Sequence, residues 1–368
     1  MSPFAKVISQ SFAHWLTIWV VALPALGQAT SNPSPKVPSR QFISRADALP
    51  RKVVIASAVA NFTGSVEERL ALAAKLVDDA AASAGKISAS RGLDLIVFPE
   101  FALCREEGVT AADRSVSLEG PLLDALGTKA REHHTWMVVP MTLREAGTEQ
   151  TFSNAAVLLD RTGQVAGIFR KVHPIVDPDG KFEGGVTPGA AYPVFNCDFG
   201  RLGILICWDM SYEEGWDALA SGGAEIVALP SASPQTLQPS AQALRHHYYV
   251  VNSAPRDNAS LFDPIGRTIA QVTAAPGVMV REVDLAYAIL HWVEILQGGQ
   301  VLRNRFGARV DGEYSSREDT GVFWSNDPQV SIGTMIREFG LREMPVDIER
   351  MDSARKAALS PTPTGAKP

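Results

Sequence analysis

The chain has 368 residues, 46% hydrophobic and 20% charged, a globular composition that excludes disordered, collagen-like and disulfide-dense classes. Lys and Arg number 34 against 40 Asp and Glu, and no clustered positive charge stands out within the net charge of −6, which argues against a nucleic-acid partner. Three cysteines cannot staple a chain of this length, and an odd number leaves at least one thiol free unless it pairs between chains.

Residues 1–27 read as a secretory signal peptide. Lys6 is the only formal charge before the apolar run from Leu16 to Leu26, and the small residues Ala25, Gly27 and Ala29 follow. The run is too short to span a membrane, which takes about 20 residues. The chain is therefore expected to be exported, periplasmic or secreted, with no integral membrane span after signal removal. Residues 28–50, with Pro33, Pro35, Pro38 and Pro50, read as a linker, because proline fixes φ and donates no hydrogen bond.

From Arg51 the pattern becomes that of a fold. Val53–Val59 is a strand by length and composition. Ser65 and Glu68 form a capping box ahead of Leu70, Ala73, Leu76, Val77 and Ala80 at helical spacing. Leu93–Phe98 is the next strand, Leu122–His133 a helix and Trp136–Met141 a further strand. Hairpins are expected about Arg161–Gly163, Phe199–Gly200 and Asp263–Arg267. Between the second and third lie helices at Tyr212–Ser221 and Leu237–His246, and strands at Ile226–Leu229 and Tyr248–Asn252. Helices alternating with single strands and hairpins indicate an α/β layer protein with mixed sheets. Leu285–Leu302 has partly helical spacing, with Trp292 and Leu296 on one face. Residues 285–357 form a C-terminal extension to a domain at 51–284, and residues 358–368 form a frayed tail.

Three polar residues sit at the exits of apolar strands, where α/β folds present side chains to a cleft. Glu100 follows Leu95–Pro99, Lys171 follows Ile168–Arg170, and Cys207 follows Leu202–Ile206. Taken singly, such residues are a helix cap, a solvated cation and a small core residue. Together they form a chemical set: a thiol, a carboxylate able to take its proton, and a cation for developing negative charge.

These residues and their flanks resemble the nitrilase superfamily, the carbon–nitrogen hydrolases. The resemblance rests on Phe98-Pro-Glu-Phe101, Phe169-Arg-Lys-Val-His-Pro174, and Gly203-Ile-Leu-Ile-Cys-Trp-Asp209 with Glu214. It covers about Val53 to Asp284. It implies a four-layer αββα sandwich, expected in a dimer. It assigns Glu100 as general base, Lys171 and the backbone N–H of Trp208 as oxyanion donors, and Cys207 as the nucleophile that forms a thioester. Glu183 is the candidate second carboxylate. Tyr212 and Ser233 are candidate substrate-binding wall residues. The Cys207-Trp-Asp209 sequence differs from the Cys-Trp-Glu of true nitrilases, which favours a small amide or N-carbamoyl substrate over a nitrile. Glu213 stands where family members commonly carry Pro, so the helix after the nucleophile is expected to start differently. The resemblance also implies a homodimer or higher homo-oligomer, with part of 285–350 reaching across to the partner. An acyltransferase of the same superfamily and a catalytically silent binding protein are the alternatives.

No cofactor or metal is expected. The adjacent pairs His133-His134 and His246-His247 point about 100° apart on a helix, and no Cys-x-x-Cys or Gly-rich phosphate loop is present. Cys104 and Cys197 are structural candidates that could pair after export. The apolar start predicts a mature chain beginning at Gln28 or Thr30. N-terminal sequencing of the exported protein checks this, and an intact Met1 contradicts it.

Overall fold

The computed structural model describes residues 42–88, 91–104, 110–147 and 151–359. The expected signal peptide, most of the expected linker and nearly all of the expected tail lie outside them.

The first half of the domain builds one sheet and its helices. The elements are β1 (Lys52–Val59), α1 (Val66–Ile87), β2 (Leu95–Val97), α2 (Ala111–Arg114), α3 (Pro121–His133), β3 (Trp136–Arg144), β4 (Phe152–Leu159) and β5 (Val165–Arg170). Ser65 caps α1 as its sequence indicates: its hydroxyl accepts from the Glu68 N–H, and the Glu68 carboxylate accepts from the Ser65 N–H at 2.8 Å. Ala73, Leu76, Val77, Ala80 and Ala84 recur at helical spacing and are buried against the sheet. Each Leu or Val buried this way contributes about 1.5–3 kcal/mol.

The second half repeats the plan with β6 (Val194–Asn196), β7 (Arg201–Ile204), α4 (Glu213–Ser221), β8 (Ile226–Pro230), α5 (Leu237–His246), β9 (Tyr249–Ser253), β10 (Ala259–Phe262) and β11 (Thr268–Val272). The last strand, β12 (Gly277–Asp284), returns to the first sheet and pairs antiparallel with β1. The sheet orders are β12-β1-β2-β3-β4-β5 and β11-β10-β9-β8-β7-β6. All three expected hairpins form.

The two sheets face each other. Val53, Ile55, Leu95 and Val97 of the first share one core with Leu202, Ile204, Ile226 and Val251 of the second. The first sheet's other face packs on α1 and α3, and the second sheet packs on α4 and α5. The result is the expected αββα sandwich. A single chain supplies all four layers, so the dimer invoked from the resemblance is not needed to build them.

Within each sheet three adjacent strands pair in parallel: β1, β2 and β3 in one, β7, β8 and β9 in the other. Because β4 is antiparallel to both β3 and β5, β5 leaves the sheet at the same end as β2. This direction rule brings residues 100 and 171 to one rim.

Two expectations are corrected. Residues 42–50 are not a linker: Ala46 is buried, Arg45 pairs with Glu225 at 2.7 Å, and the Ala46 carbonyl accepts from the Gly333 N–H. Leu285–Leu302 is mostly not helical. It begins with β13 (Tyr287–His291), and helix is confined to a 3-10 turn at Gln297–Gly299 and the start of α6 (Gln300–Phe306); Trp292 is exposed while Leu296 is buried, so they share no face. β13 pairs antiparallel with β15 (Thr320–Ser325) in a small sheet ordered β13-β15-β14, which β14 (Val310–Ser315) completes. Helices α7 (Ile332–Arg337) and α8 (Met344–Leu359) complete an extension that folds back on its own chain. Among the described residues, no helix is long and apolar enough to cross a membrane.

One contact tests the packing. Gly127 of α3 lies against Gly163 in the first hairpin turn, and a Cβ at residue 127 would stand 2.7 Å from the Gly163 carbonyl oxygen. A Gly→Ala change inside a helix ordinarily stabilises by about 1 kcal/mol. Here the overlap reverses the sign, and Gly127→Ala is expected to destabilise by about 1–3 kcal/mol in urea unfolding. A stabilised variant contradicts this close approach.

Candidate active site

Glu100, Lys171 and Cys207 converge on one cavity of about 630 Å³. The Lys171 Nζ donates to Glu100 Oε1 at 2.8 Å and to Glu183 Oε1 at 2.5 Å. The Lys171 and Glu100 side chains are each 1% exposed. Burying an ammonium this deeply requires paired negative charge. Burial alone would lower the Lys171 pKa, but the charges of Glu100 and Glu183 outweigh it and raise the group above its ordinary range. Lys171 stays cationic.

Other groups hold the carboxylates in place. The Asn154 Nδ2 donates to Glu100 Oε1 and to Glu183 Oε2, each at 2.8 Å. The Ala232 N–H, just beyond β8, donates to Glu100 Oε2 at 2.9 Å. The Ile175 N–H donates to Glu183 Oε1 at 3.1 Å, and Arg114 holds the Glu183 carbonyl at 2.7 Å. Glu183, read from sequence as a second carboxylate, thus joins the cluster.

Cys207 ends the β7 exit with φ at +46°, opening a short 3-10 turn over Cys207–Ser211. Burial pushes its thiol up, with the Glu100 charge adding to the shift and Lys171 opposing it, to about 11. The Trp208 N–H lies in the first turn of that 3-10 segment, where backbone donors lack intrahelical partners. Asp209 ties this turn to the lysine strand: its Oδ1 accepts from Val172 N–H at 3.1 Å and His173 N–H at 2.7 Å, and its Oδ2 accepts from Ile206 N–H at 3.0 Å. Burial pushes the Asp209 carboxyl up, to about 6, although these amides oppose the shift.

Tyr212 and Ser233 are not among the residues lining this cavity. Tyr212 stacks on His173 with ring centroids 3.6 Å apart, and the Ser233 N–H donates to Ser231 Oγ. With Glu213 in place of the Pro common in the family, α4 starts at residue 213, and its N-cap, Tyr212, makes no side-chain cap. Cys104 and Cys197 are both free thiols. Asp78, Glu132 and His133 come within chelating range of one another, but Lys129 already bridges Asp78 and Glu132.

Sequence reasoning missed the roles of Asn154, Asp209 and Ala232. Asn154, with Ser153, is a polar residue at the start of a strand that is apolar from Ala155 on, the signal that could have marked it. Ala232 contributes only its backbone, which no side-chain pattern reveals.

Residues 54–290 match the sequence pattern of the family described as carbon-nitrogen hydrolase. The deaminated glutathione amidase of Homo sapiens is 28% identical over 232 residues, covering 54% of this chain and 69% of that protein. A formamidase of Pseudomonas syringae pv. tomato is 34% identical over 139 residues, covering 37% of this chain and 39% of the other. A probable nitrilase of Schizosaccharomyces pombe is 28% identical over 138 residues, and the match spans 37% of this chain and about half of that relative's length, 49%. Among solved structures, Saccharomyces cerevisiae Nit3, a member of branch 10 of the nitrilase superfamily, superposes with TM-score 0.54 at 18% identity over 66% of this chain and 93% of the other. An amidase from Nesterenkonia sp. AN1, with the acetamide moiety of fluoroacetamide added covalently at its active-site cysteine, gives TM-score 0.52 at 22% identity over 65% and 94%. At these identities the structures speak for the fold.

The raised thiol predicts a pH profile. Cys207 is protonated at neutral pH, and its thiolate fraction grows as pH climbs toward about 11. Alkylation of Cys207 by iodoacetamide, read by peptide mass spectrometry, is therefore expected to rise about tenfold per pH unit between pH 7 and 10. A plateau below pH 9 contradicts this environment.

Proposed function

Because the chain belongs to the carbon-nitrogen hydrolase family, we propose that it hydrolyses a non-peptide C–N bond, an amide or N-carbamoyl group, through a thioester on Cys207. The observation that carries this reading is the buried Glu100–Lys171–Glu183 cluster in the cavity that Cys207 also lines.

The chemistry follows from what each group can do. Glu100 takes the Cys207 proton as the sulfur attacks the carbonyl carbon, so no free thiolate has to persist in a site that disfavours it. The carbonyl oxygen becomes negative. Lys171 has three N–H donors, and Glu100 and Glu183 engage two of them. The remaining donor, with the Trp208 N–H, would hold that oxygen. The C–N bond then breaks, and Glu100 returns the proton to the leaving nitrogen. Ammonia or an amine departs and the acyl group stays on sulfur. Glu100 next takes a proton from water, the hydroxide attacks the thioester, and collapse expels the sulfur, which recovers the proton from Glu100. The acid product leaves with the enzyme regenerated.

Glu183 would be a positioning residue here. It shares the Lys171 charge with Glu100 and fixes the ammonium between them. The Asp209 after Cys207-Trp208 supports amides over nitriles, since the family's nitrilases commonly carry Glu there. The names of the amidase and formamidase relatives point the same way.

The test uses a panel of amides, N-carbamoyl compounds and nitriles, with ammonia release as readout. Wild type is expected to act on amides or carbamoyl compounds, and Cys207→Ala to lose about 10⁴-fold or more. Equal release by both proteins contradicts the mechanism. Glu183→Gln is expected to lower kcat about 10²-fold while trapped acyl adduct still forms on Cys207; unchanged kcat removes Glu183 from the scheme.

A further inference from the structure

The two donors for the developing oxyanion belong to different sheets. Lys171 follows β5 in the first sheet, and Trp208 lies beyond β7 in the second. Pairing within either sheet therefore does not set their spacing. One side chain is bonded to the backbone on both sides of the gap. Asp209, fully buried, accepts through Oδ2 from the Ile206 N–H at 3.0 Å, just ahead of Cys207. Through Oδ1 it accepts from the Val172 N–H at 3.1 Å and the His173 N–H at 2.7 Å, the two residues after Lys171.

Local sequence accounts for half of this arrangement. Asp209 is the third residue of the 3-10 turn Cys207–Ser211, a position from which a carboxylate reaches back to the amide ahead of the turn. A carboxylate has a second oxygen with room for two more donors. That oxygen crosses to the lysine strand. The far end of the turn grips the same place. Tyr212 stacks on the His173 ring with centroids 3.6 Å apart, and Glu214 Oε1, in α4, lies 3.2 Å from His173 Nε2. The turn that carries the nucleophile is thus fastened to the β5 exit at both of its ends.

We infer that Asp209 is a positioning residue for the oxyanion: it fixes the Lys171 ammonium and the Trp208 N–H relative to each other by joining the backbone beside each. Asp209 is not among the residues lining the cavity, so it acts through those two donors. This deepens the hydrolase reading and rests on it for the reaction concerned; the spacing of the donors does not depend on turnover. An asparagine at 209 has the same shape but only one acceptor oxygen. Whichever way its amide faces, an NH2 group meets a backbone N–H at one end, and that end is released. Groups that stabilise a transition state work only when held to within about 0.5 Å, so the released end costs rate at the steps where the oxyanion forms.

The experiment compares reactions of Cys207 in the full chain that do and do not place negative charge on an oxygen. Amide hydrolysis does; alkylation by iodoacetamide displaces iodide at a CH2 carbon and does not. Asp209→Asn is expected to lower kcat about 10²-fold on the amide that wild type turns over fastest, with KM and the alkylation rate each within about threefold of wild type. A third probe needs no turnover. The thiol adds across the carbonyl of butyraldehyde, sulfur to carbon and proton to oxygen, and that oxygen takes the oxyanion's place. Its affinity, read as protection of Cys207 from alkylation, is expected to weaken at least about tenfold in Asp209→Asn. Asp209→Ser, whose single oxygen cannot serve both ends at once, is expected to behave alike and stands in if the asparagine variant does not fold. His173→Ala keeps both backbone amides and is expected to lower kcat less than about fivefold, the worth of a single hydrogen bond. Alkylation that slows in step with kcat, or His173→Ala as slow as Asp209→Asn, overturns the role. If wild type hydrolyses no amide while aldehyde protection still weakens in Asp209→Asn, the hydrolase reading falls and the positioning role stands. Amide hydrolysis with kcat and aldehyde protection unchanged in Asp209→Asn does the opposite.

Discussion

The site depends on one buried cation. Lys171 is sealed from water between two carboxylates, and those carboxylates are themselves spanned by the Asn154 amide. Removing any one partner would leave an uncompensated charge in a region too dry to solvate it, a loss of about 3–5 kcal/mol where such pairs have been broken. The cluster is therefore both catalytic apparatus and structural fixture. It joins the exits of β2 and β5, the start of β4 and the loop carrying Glu183, and through the Ala232 amide it reaches the second sheet.

The backbone around it is held in conformations that side chains resist. Phe101, Glu183 and Cys207 all have positive φ, at 59°, 43° and 46°. Left-handed backbone at such residues costs about 1–3 kcal/mol each. Each of the three is, or directly follows, a member of the reactive cluster. At Phe101 and Cys207 the strain turns the chain sharply just past a strand, and at Glu183 it turns the loop that carries this carboxylate to Lys171. Hydrogen bonds to the cluster and to Asp209 hold these turns in place.

Much of this was legible in the order of residues. Strands, hairpins and the α1 cap could be read because they are local: a strand buried on both faces is a short unbroken apolar run, and the Ser65–Glu68 box closes within one turn. Glu100, Lys171 and Cys207 could be read because each follows an apolar strand. Arg45 to Pro50 resembled a linker because its packing partners, Glu225 and Gly333, lie far along the chain. The region after Leu285 was misread for a related reason. Its apolar residues suit a helix or a strand equally, and pairing with β15 decided the matter.

The closure of the first sheet has a consequence for the order of events during synthesis. β1 is flanked on one side by β12, and the Arg51 amide ahead of it is bonded to Asp284, 233 positions later. At a translation rate of about 5–20 residues per second, that partner emerges roughly 10–50 s after β1 has left the ribosome. Throughout that interval the strand Lys52–Val59, apolar along nearly its whole length, has one unpaired edge. A nascent chain in this state already holds Glu100 and Lys171 but has no finished sandwich around them. The domain ripens late and all at once, and the growing polypeptide needs shelter from strand-to-strand association for longer than its size alone would suggest.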